Sequence, residues 1–433
     1  MRRALLSRRA VLHAPAALAA AAPAFAQTPA QLAFPGALGW AARTPGGRGG
    51  AIVRVTTLAA EGPGSLDAAL RLRGPRIVVF EVGGVIDLAM RMLTIRNPFV
   101  TLAGQTAPSP GITLIRGGLR IRTHDVVVRH IAVRPGDAGQ APRSGWEVDG
   151  IVAEAGSHDV IVDHCSVTWA TDENLSASGP RFAGETLEEW RAATAHRITF
   201  SRNIIAEGLS NATHSKGEHS KGSLIHDNVR DVLIWGNLYA SNRERNPLFK
   251  GGAGGAVVNN LMVNPGRRFL HYNLNAEEWG DHPYARGSLS VVGNEFRSGP
   301  SSPRNAAAIA LGGAGPLDLF AADNRLTGPN PPQAFARFGE ANPECVDLPA
   351  PAIWPEALRA AAAVDVAEAV LANAGARPWD RDPIDARIVA EARAGEGRII
   401  DSQAAVGGYP VRASTAATFD PAEWDLATLE RLP

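Results

Sequence analysis

Ile198-Thr199-Phe200-Ser201-Arg202-Asn203 and Val232-Leu233-Ile234-Trp235-Gly236-Asn237 share one plan: a short β-rich run, a turn, then asparagine. The plan extends in both directions. Val126–Val128 and Val160–Val162 come before it, and Val257–Val258, Leu289–Val292 and Leu317–Phe320 after it, with Asn260, Asn294 and Asn324 closing the later runs. The asparagines are 34, 23, 34 and 30 residues apart. Those intervals are irregular for identical repeats, but they suit a coil of somewhat over 20 residues carrying loops of variable length. Asparagine tolerates left-handed turn geometry, and stacked side-chain amides hydrogen-bond along a solenoid. The strands alternate with Gly, Asn and Asp turns rather than with helices, which disfavours a doubly wound sheet or a barrel with one helix per strand. The fold expected is all-β, a right-handed parallel β-helix, with a β-sandwich as runner-up.

Helices are expected only at the margins. Ser65-Leu66-Asp67-Ala68-Ala69-Leu70 reads as a short capped helix, and Thr186-Leu187-Glu188-Glu189 as a capping box opening a helix inserted between two coils. An Ala-rich helix is expected from Pro355 to near Gly375, and another from Asp382-Pro383 to Gly395. The chain therefore divides into an export signal at 1–26, a β-helix domain at 27–342, and a C-terminal helical extension at 343–433 that packs on the solenoid. The signal rests on Ser7-Arg8-Arg9-Ala10-Val11-Leu12, which resembles a twin-arginine leader, and on the Ala24-Phe25-Ala26 cleavage pattern. It predicts a periplasmic or secreted protein. No stretch is apolar for long enough to span a bilayer.

The 433 residues carry 43 basic and 43 acidic side chains, a balance that argues against a nucleic-acid partner. Only three of the basic residues are lysine, at 216, 221 and 250, all within 35 residues. An arginine-biased composition explains the other forty. The cluster also fits sites that need a compact ammonium. Of the two cysteines, Cys165 lies in an apolar run and reads as a small buried hydrophobe, although a bridge to Cys345 is open.

In a β-helix, residues one coil apart are stacked at strand spacing, about 4.8 Å. Asp149 and Asp172 are 23 residues apart, and Lys221 and Arg245 are 24 apart. Two carboxylates and two cations then line one face, and crowded carboxylates favour a hard cation such as Ca²⁺. Asp149, Asp172 and Glu173 are the candidate ligands. Asp163-His164 invites comparison with a catalytic dyad, but adjacent strand residues point to opposite faces, so a structural role is expected. His214, His219 and His226 lack the spacing of a usual zinc set. Arg243, Arg267 and Arg268 fit either a basic groove or solvated loops, and Trp169, Trp190 and Trp279 either sugar platforms or packing.

Several motifs resemble, in order, those of the pectate lyases of polysaccharide lyase family 1. They are Ala33-Phe34-Pro35-Gly36-Ala37, Gly46-Gly47-Arg48-Gly49-Gly50, Gly62-Pro63-Gly64-Ser65-Leu66, Ile77 to Gly84, and Ile161-Val162-Asp163-His164-Cys165-Ser166. Asn242 to Gly252 is similar to the family's active-site stretch, in which an arginine stands two residues before a proline and a basic residue precedes Gly-Gly. The resemblance runs from about Ala33 to Leu326. It implies calcium-assisted β-elimination of de-esterified pectin, acting on polygalacturonate or oligogalacturonides as a monomer. It implies Arg245 as the group that takes the C5 proton, with electrostatic stabilisation as the alternative role, because guanidinium is a poor base. Lys250 matches a substrate-binding position and either Lys216 or Lys221 another, Lys221 fitting the coil spacing better. Asp149 and Asp172 match calcium ligands, while Ser176 stands where the family has a further carboxylate. Rival readings are a pectin lyase, which lacks the calcium carboxylates; a polygalacturonase-type hydrolase, which needs paired acids; and a non-catalytic glycan-binding scaffold.

Overall fold

The computed structural model describes residues 31–339 and 343–432. The expected export signal lies outside them. Each coil contributes one strand to each of three parallel sheets, as in His158–Asp163, Ser166–Thr168 and Leu175–Ala177. Among the described residues the first sheet has eleven strands, from Ala51–Val55 to Glu344–Asp347. The third has nine, from Leu93–Ile95 to Gln333–Phe338. The second runs from Val82–Asp87 to Arg325–Thr327.

Alternation along each strand decides which side chains enter the solenoid. Val126 and Val128, Val160 and Val162, Ile198 and Phe200, and Val232 and Ile234 stack inside as one apolar core. Between them Val127, Ile161 and Leu233 point outward and are covered by other segments. Phe34, Ala37 and Ala41 cover Val127 and Ile161, and Leu358 covers Leu233, Ala256 and Val258.

The expected asparagine ladder is present. The Asn203 side-chain amide donates to Asn237 Oδ1, Asn237 to Asn260 and Asn260 to Asn294, each at 2.9 Å, and Asn294 donates to Asn324 at 3.0 Å. Each acceptor oxygen also takes the preceding asparagine's backbone N–H, so no amide in this buried turn is left without a partner. Cys165 occupies the next rung. Its backbone N–H donates to Asn203 Oδ1 at 2.8 Å, and its thiol, pushed up to about 12 by burial, is unpaired with Cys345.

Both early helices form, at Leu66–Arg71 and Leu187–Ala193, the second with its Thr186 and Glu189 capping box. Pro383–Ala394 starts at the Asp382 cap and ends at Gly395. The Ala-rich helix begins later than its composition suggests, at Ala363. Leu358 is buried on the first sheet, and Ala361 exchanges two hydrogen bonds with the Asn259 amide, which holds that stretch extended.

The extension is not separate from the solenoid. Glu344–Asp347 pairs in parallel with Pro316–Leu319 as the last rung of the first sheet. The two helices bury Val366, Val370, Leu371, Ile384 and Ile388 against Ile204, Leu238 and Leu261 of the second sheet. The chain then returns to the first coils, where Thr415–Ala416 pairs antiparallel with Val82–Gly83. No helix among the described residues is long and apolar enough to cross a membrane.

Candidate functional site

Charged side chains collect where the coils enter the third sheet, a corner that the extension leaves uncovered. The register Ile151↔Leu175, continued backward, sets Glu173 beside Asp149, and isolated bridges continue the column through Lys221 to Glu244. Lys221 pairs with Glu244 after 23 residues, whereas Leu224 pairs with Leu248 after 24. The Arg245 coil thus holds one extra residue, a bulge of the kind that re-aims a side chain at a sheet edge. Arg245 takes a φ of 62° there, and its carbonyl accepts the Ser223 N–H.

This geometry carries the Arg245 guanidinium back to the carboxylates, where it pairs with Glu173. Carboxylate oxygens of Asp149, Asp172 and Glu173 all lie within 4.8 Å of one another. Asp149 Oδ1 accepts the Glu173 N–H at 3.1 Å. Its carboxyl is pushed well above the usual range, by burial first and then by the charge of Asp172. Asp172 goes the other way. Burial pushes it up, but the His219 hydrogen bond and the charges of His219, His214 and Arg245 hold it below its ordinary value. Burial pushes the Arg245 guanidinium down, against the opposing pull of Asp172, Asp149 and Glu278.

Arg245 therefore joins the three carboxylates, and the lysines are placed differently. Lys221 is buried one rung from Glu173, but its ammonium is turned to Glu244, which also accepts Arg268 Nη1 at 2.8 Å and lies 3.5 Å from Arg267. The expectation that Arg245 lies one coil from Lys221 is corrected by one residue: Glu244 holds that place, and its carboxylate takes the Lys221 ammonium. Burial pushes the Lys221 ammonium down; burial pushes Glu244 up, but His271, Lys221 and Arg267 together bring it to about 2. Lys216 is exposed on the preceding loop. Lys250 is held by Glu278 and by Asp227 at 3.3 Å. Ser176 is buried, and its hydroxyl accepts the Leu224 N–H.

Sequence spacing misjudged two histidine arrangements. His214 and His219 stack with ring centroids 3.7 Å apart, and His219 Nε2 lies 2.8 Å from Asp172 Oδ1 and His214 Nε2 3.7 Å from it. They brace Asp172, while His226 sits apart beside Asp227. His164 has left the strand, at a φ of 48°, so its ring turns back to Asp163 at 2.7 Å instead of pointing to the opposite face. The structural role expected for that pair stands on different geometry. Arg243 pairs with Glu218 at 2.6 Å, and Trp169, Trp190 and Trp279 are buried in packing. Glu244, Asp227, Glu278 and Arg181 were missed: their partners come from other coils, and no local pattern marks them.

The donor set suits a hard cation. Three carboxylates converge, and burial together with the charge of Asp172 pushes the Asp149 carboxyl well above its ordinary range.

No protein-family model matches this chain. Over 274 residues it is 38% identical to a protein of Emericella nidulans named probable pectate lyase C, covering 63% of this chain and 54% of that protein. A protein of the same name from Aspergillus terreus is 38% identical over 272 residues, covering 63% and 55%. The chain thus spans about half the length of the curated relatives it matches. Among solved structures, Jun a 1, the major allergen from cedar pollen, superposes with a TM-score of 0.54 at 16% identity, covering 78% of this chain and 92% of that one. The chain is a right-handed parallel β-helix, and over 63% of its length its sequence is similar to proteins named probable pectate lyase C.

Proposed function

We propose that the protein is a pectate lyase that cleaves polygalacturonate by β-elimination, and that Asp149, Asp172, Glu173 and Arg245 form its reaction centre. The observation that carries this reading is a half-buried arginine set by a bulge against three converging carboxylates.

Asp149, Asp172 and Glu173 would hold Ca²⁺, with Ser176 supplying no anionic oxygen. A calcium ion held there would supply the charge that neutralises the substrate carboxylate and makes the adjacent C5–H more acidic. Arg245 then takes the C5 proton. The C5–H electrons become the C4=C5 double bond, the C4–O bond breaks with its electrons going to the leaving oxygen, and that oxygen takes a proton from solvent water. Desolvation favours the neutral form of Arg245 that this step needs. In its charged form the same guanidinium stabilises the enolate-like species instead. Of the two lysines, Lys221 is the one taken as the substrate residue on coil spacing; it lies one rung from Glu173, with its ammonium on Glu244. His219 orients Asp172. The twin-arginine-like leader and the periplasmic or secreted location it predicts fit a polymeric substrate outside the cell.

The test is incubation of purified protein with polygalacturonate, with calcium or with chelator, following the ultraviolet absorbance of the unsaturated uronide. Absorbance that rises only with calcium is the expected outcome. Reducing ends without absorbance would indicate hydrolysis, and no cleavage would indicate a scaffold.

A further inference from the structure

Lys250 has a second cation beside it. Arg181, on the loop before the helix Leu187–Ala193, reaches the same place from another coil. Both cations are fixed from below by Asp227, whose side chain is fully buried. Its oxygens accept Arg181 Nε at 2.9 Å and Trp279 Nε1 at 2.8 Å, and lie 3.3 Å from Lys250 Nζ. The Arg181 backbone is pinned as well, its carbonyl accepting the Asn228 amide at 2.8 Å. From above, both cations converge on a single oxygen, Glu278 Oε2, with Arg181 Nη2 at 2.7 Å and Lys250 Nζ in contact. Arg181 Nη1 also reaches the Glu278 carbonyl at 3.5 Å.

The two acids differ in what holds them. Asp227 has no exposed surface, whereas the Glu278 side chain is 38% exposed and sits on the four-residue helix Ala276–Trp279. Glu278 is the more exposed of the two acids and the one on a short surface helix, so it is the acid that can be displaced while Asp227 stays. Departure of Glu278 leaves two cations over one anion. His226 adds no charge near neutral pH, since burial pushes it down to about 4. The vacated place has the charge and the flat, two-oxygen shape of a carboxylate site. It lies on the strand that Arg245 enters, close enough that the charge of Glu278 acts on Arg245.

We propose that Arg181 and Lys250 together form a carboxylate-binding subsite for one uronate unit of an acidic glycan, and that Glu278 fills it as an internal competitor in the free protein. The inference rests on the lyase reading above and adds Arg181 as a specificity residue and Glu278 as a displaceable occupant. Incoming substrate exchanges its own carboxylate for that of Glu278, so a neutral or methyl-esterified unit gains nothing there.

The experiment is the KM for polygalacturonate at fixed, saturating calcium in the full chain and three variants. Glu278→Gln removes the competitor and keeps the shape, and KM is expected to fall about threefold, the scale of one exposed ion pair. Arg181→Ala is expected to raise KM about tenfold, the scale of a charge-assisted hydrogen bond, and Arg181→Lys to fall between. A purely structural Glu278 would lower the melting temperature of Glu278→Gln and leave KM unchanged or higher. That result, in a protein whose wild type cleaves polygalacturonate, overturns this inference alone. A wild type that does not cleave polygalacturonate overturns the lyase reading and this inference with it.

Discussion

Two clusters of acids and histidines stand on neighbouring corners of the same coils, and they differ in whether their charges are satisfied. At the turn after the first sheet, fully buried Asp163 accepts from Arg129 at 3.0 Å, Ser201 at 2.7 Å and His164 at 2.7 Å. Burial would push its carboxyl up, but the charges of His164, Arg129 and Arg202 hold it well below the usual range. At the entry to the third sheet, Asp149 has one backbone donor and a like-charged neighbour, and its carboxyl is pushed well above that range. Both contain Asp, His and Arg. The first is closed on itself and serves the fold; the second is short of positive charge and has room in its chemistry for a cation and an acidic substrate.

Substitutions that treat the two clusters alike should give unlike results. Arg245→Ala should show the largest effect, a loss of about a thousandfold in turnover, since it removes the group set against the reacting carbon. Asp163→Asn should do the reverse. It leaves Arg129 without its buried partner and costs about 3 kcal/mol in denaturant unfolding, with KM unaltered. Asp172→Asn, measured as activity against calcium concentration, should shift half-activation upward by about tenfold, as expected when one anionic ligand is lost.

Asp149→Asn sharpens the contrast through its sign. In chelator it should stabilise the protein by about 1 kcal/mol at neutral pH, because it removes an ionised group that the folded state disfavours. A smaller effect follows in pH dependence. The pKa of Asp163 is depressed on folding, so its contribution is fully present above the unfolded value near 3.8 and is lost as pH falls below it. The pKa of Asp149 is raised, so its penalty appears as pH climbs above 3.8. The stability advantage of Asp149→Asn should therefore grow between pH 4 and pH 7 and vanish below. Equal curves for wild type and variant would remove the distinction between the clusters.

The solenoid was legible because one-dimensional stacking turns sequence intervals into contacts. The asparagines at 203, 237, 260, 294 and 324 are five rungs of one ladder. Asp149 and Asp172 meet one residue out of step, because the partner stacked on Asp149 is Glu173. What spacing could not give was a shift of one residue. The bulge before Pro247 replaces Arg245 with Glu244 above Lys221, and the left-handed turn at His164 brings two adjacent side chains together. The path of the extension was also illegible, because Thr415 finds its partner Gly83 across some 330 residues with no shared pattern. Arg181 and Glu278 belong to loops whose lengths vary freely between coils, so their meeting at Lys250 leaves no trace in the intervals.

The most direct measurement is the absorbance of unsaturated uronide released from polygalacturonate by wild type and by Arg245→Ala, each with calcium and with chelator. The open cluster predicts product from wild type with calcium and from none of the other three. Product from Arg245→Ala at the wild-type rate, or from wild type in chelator, would contradict it.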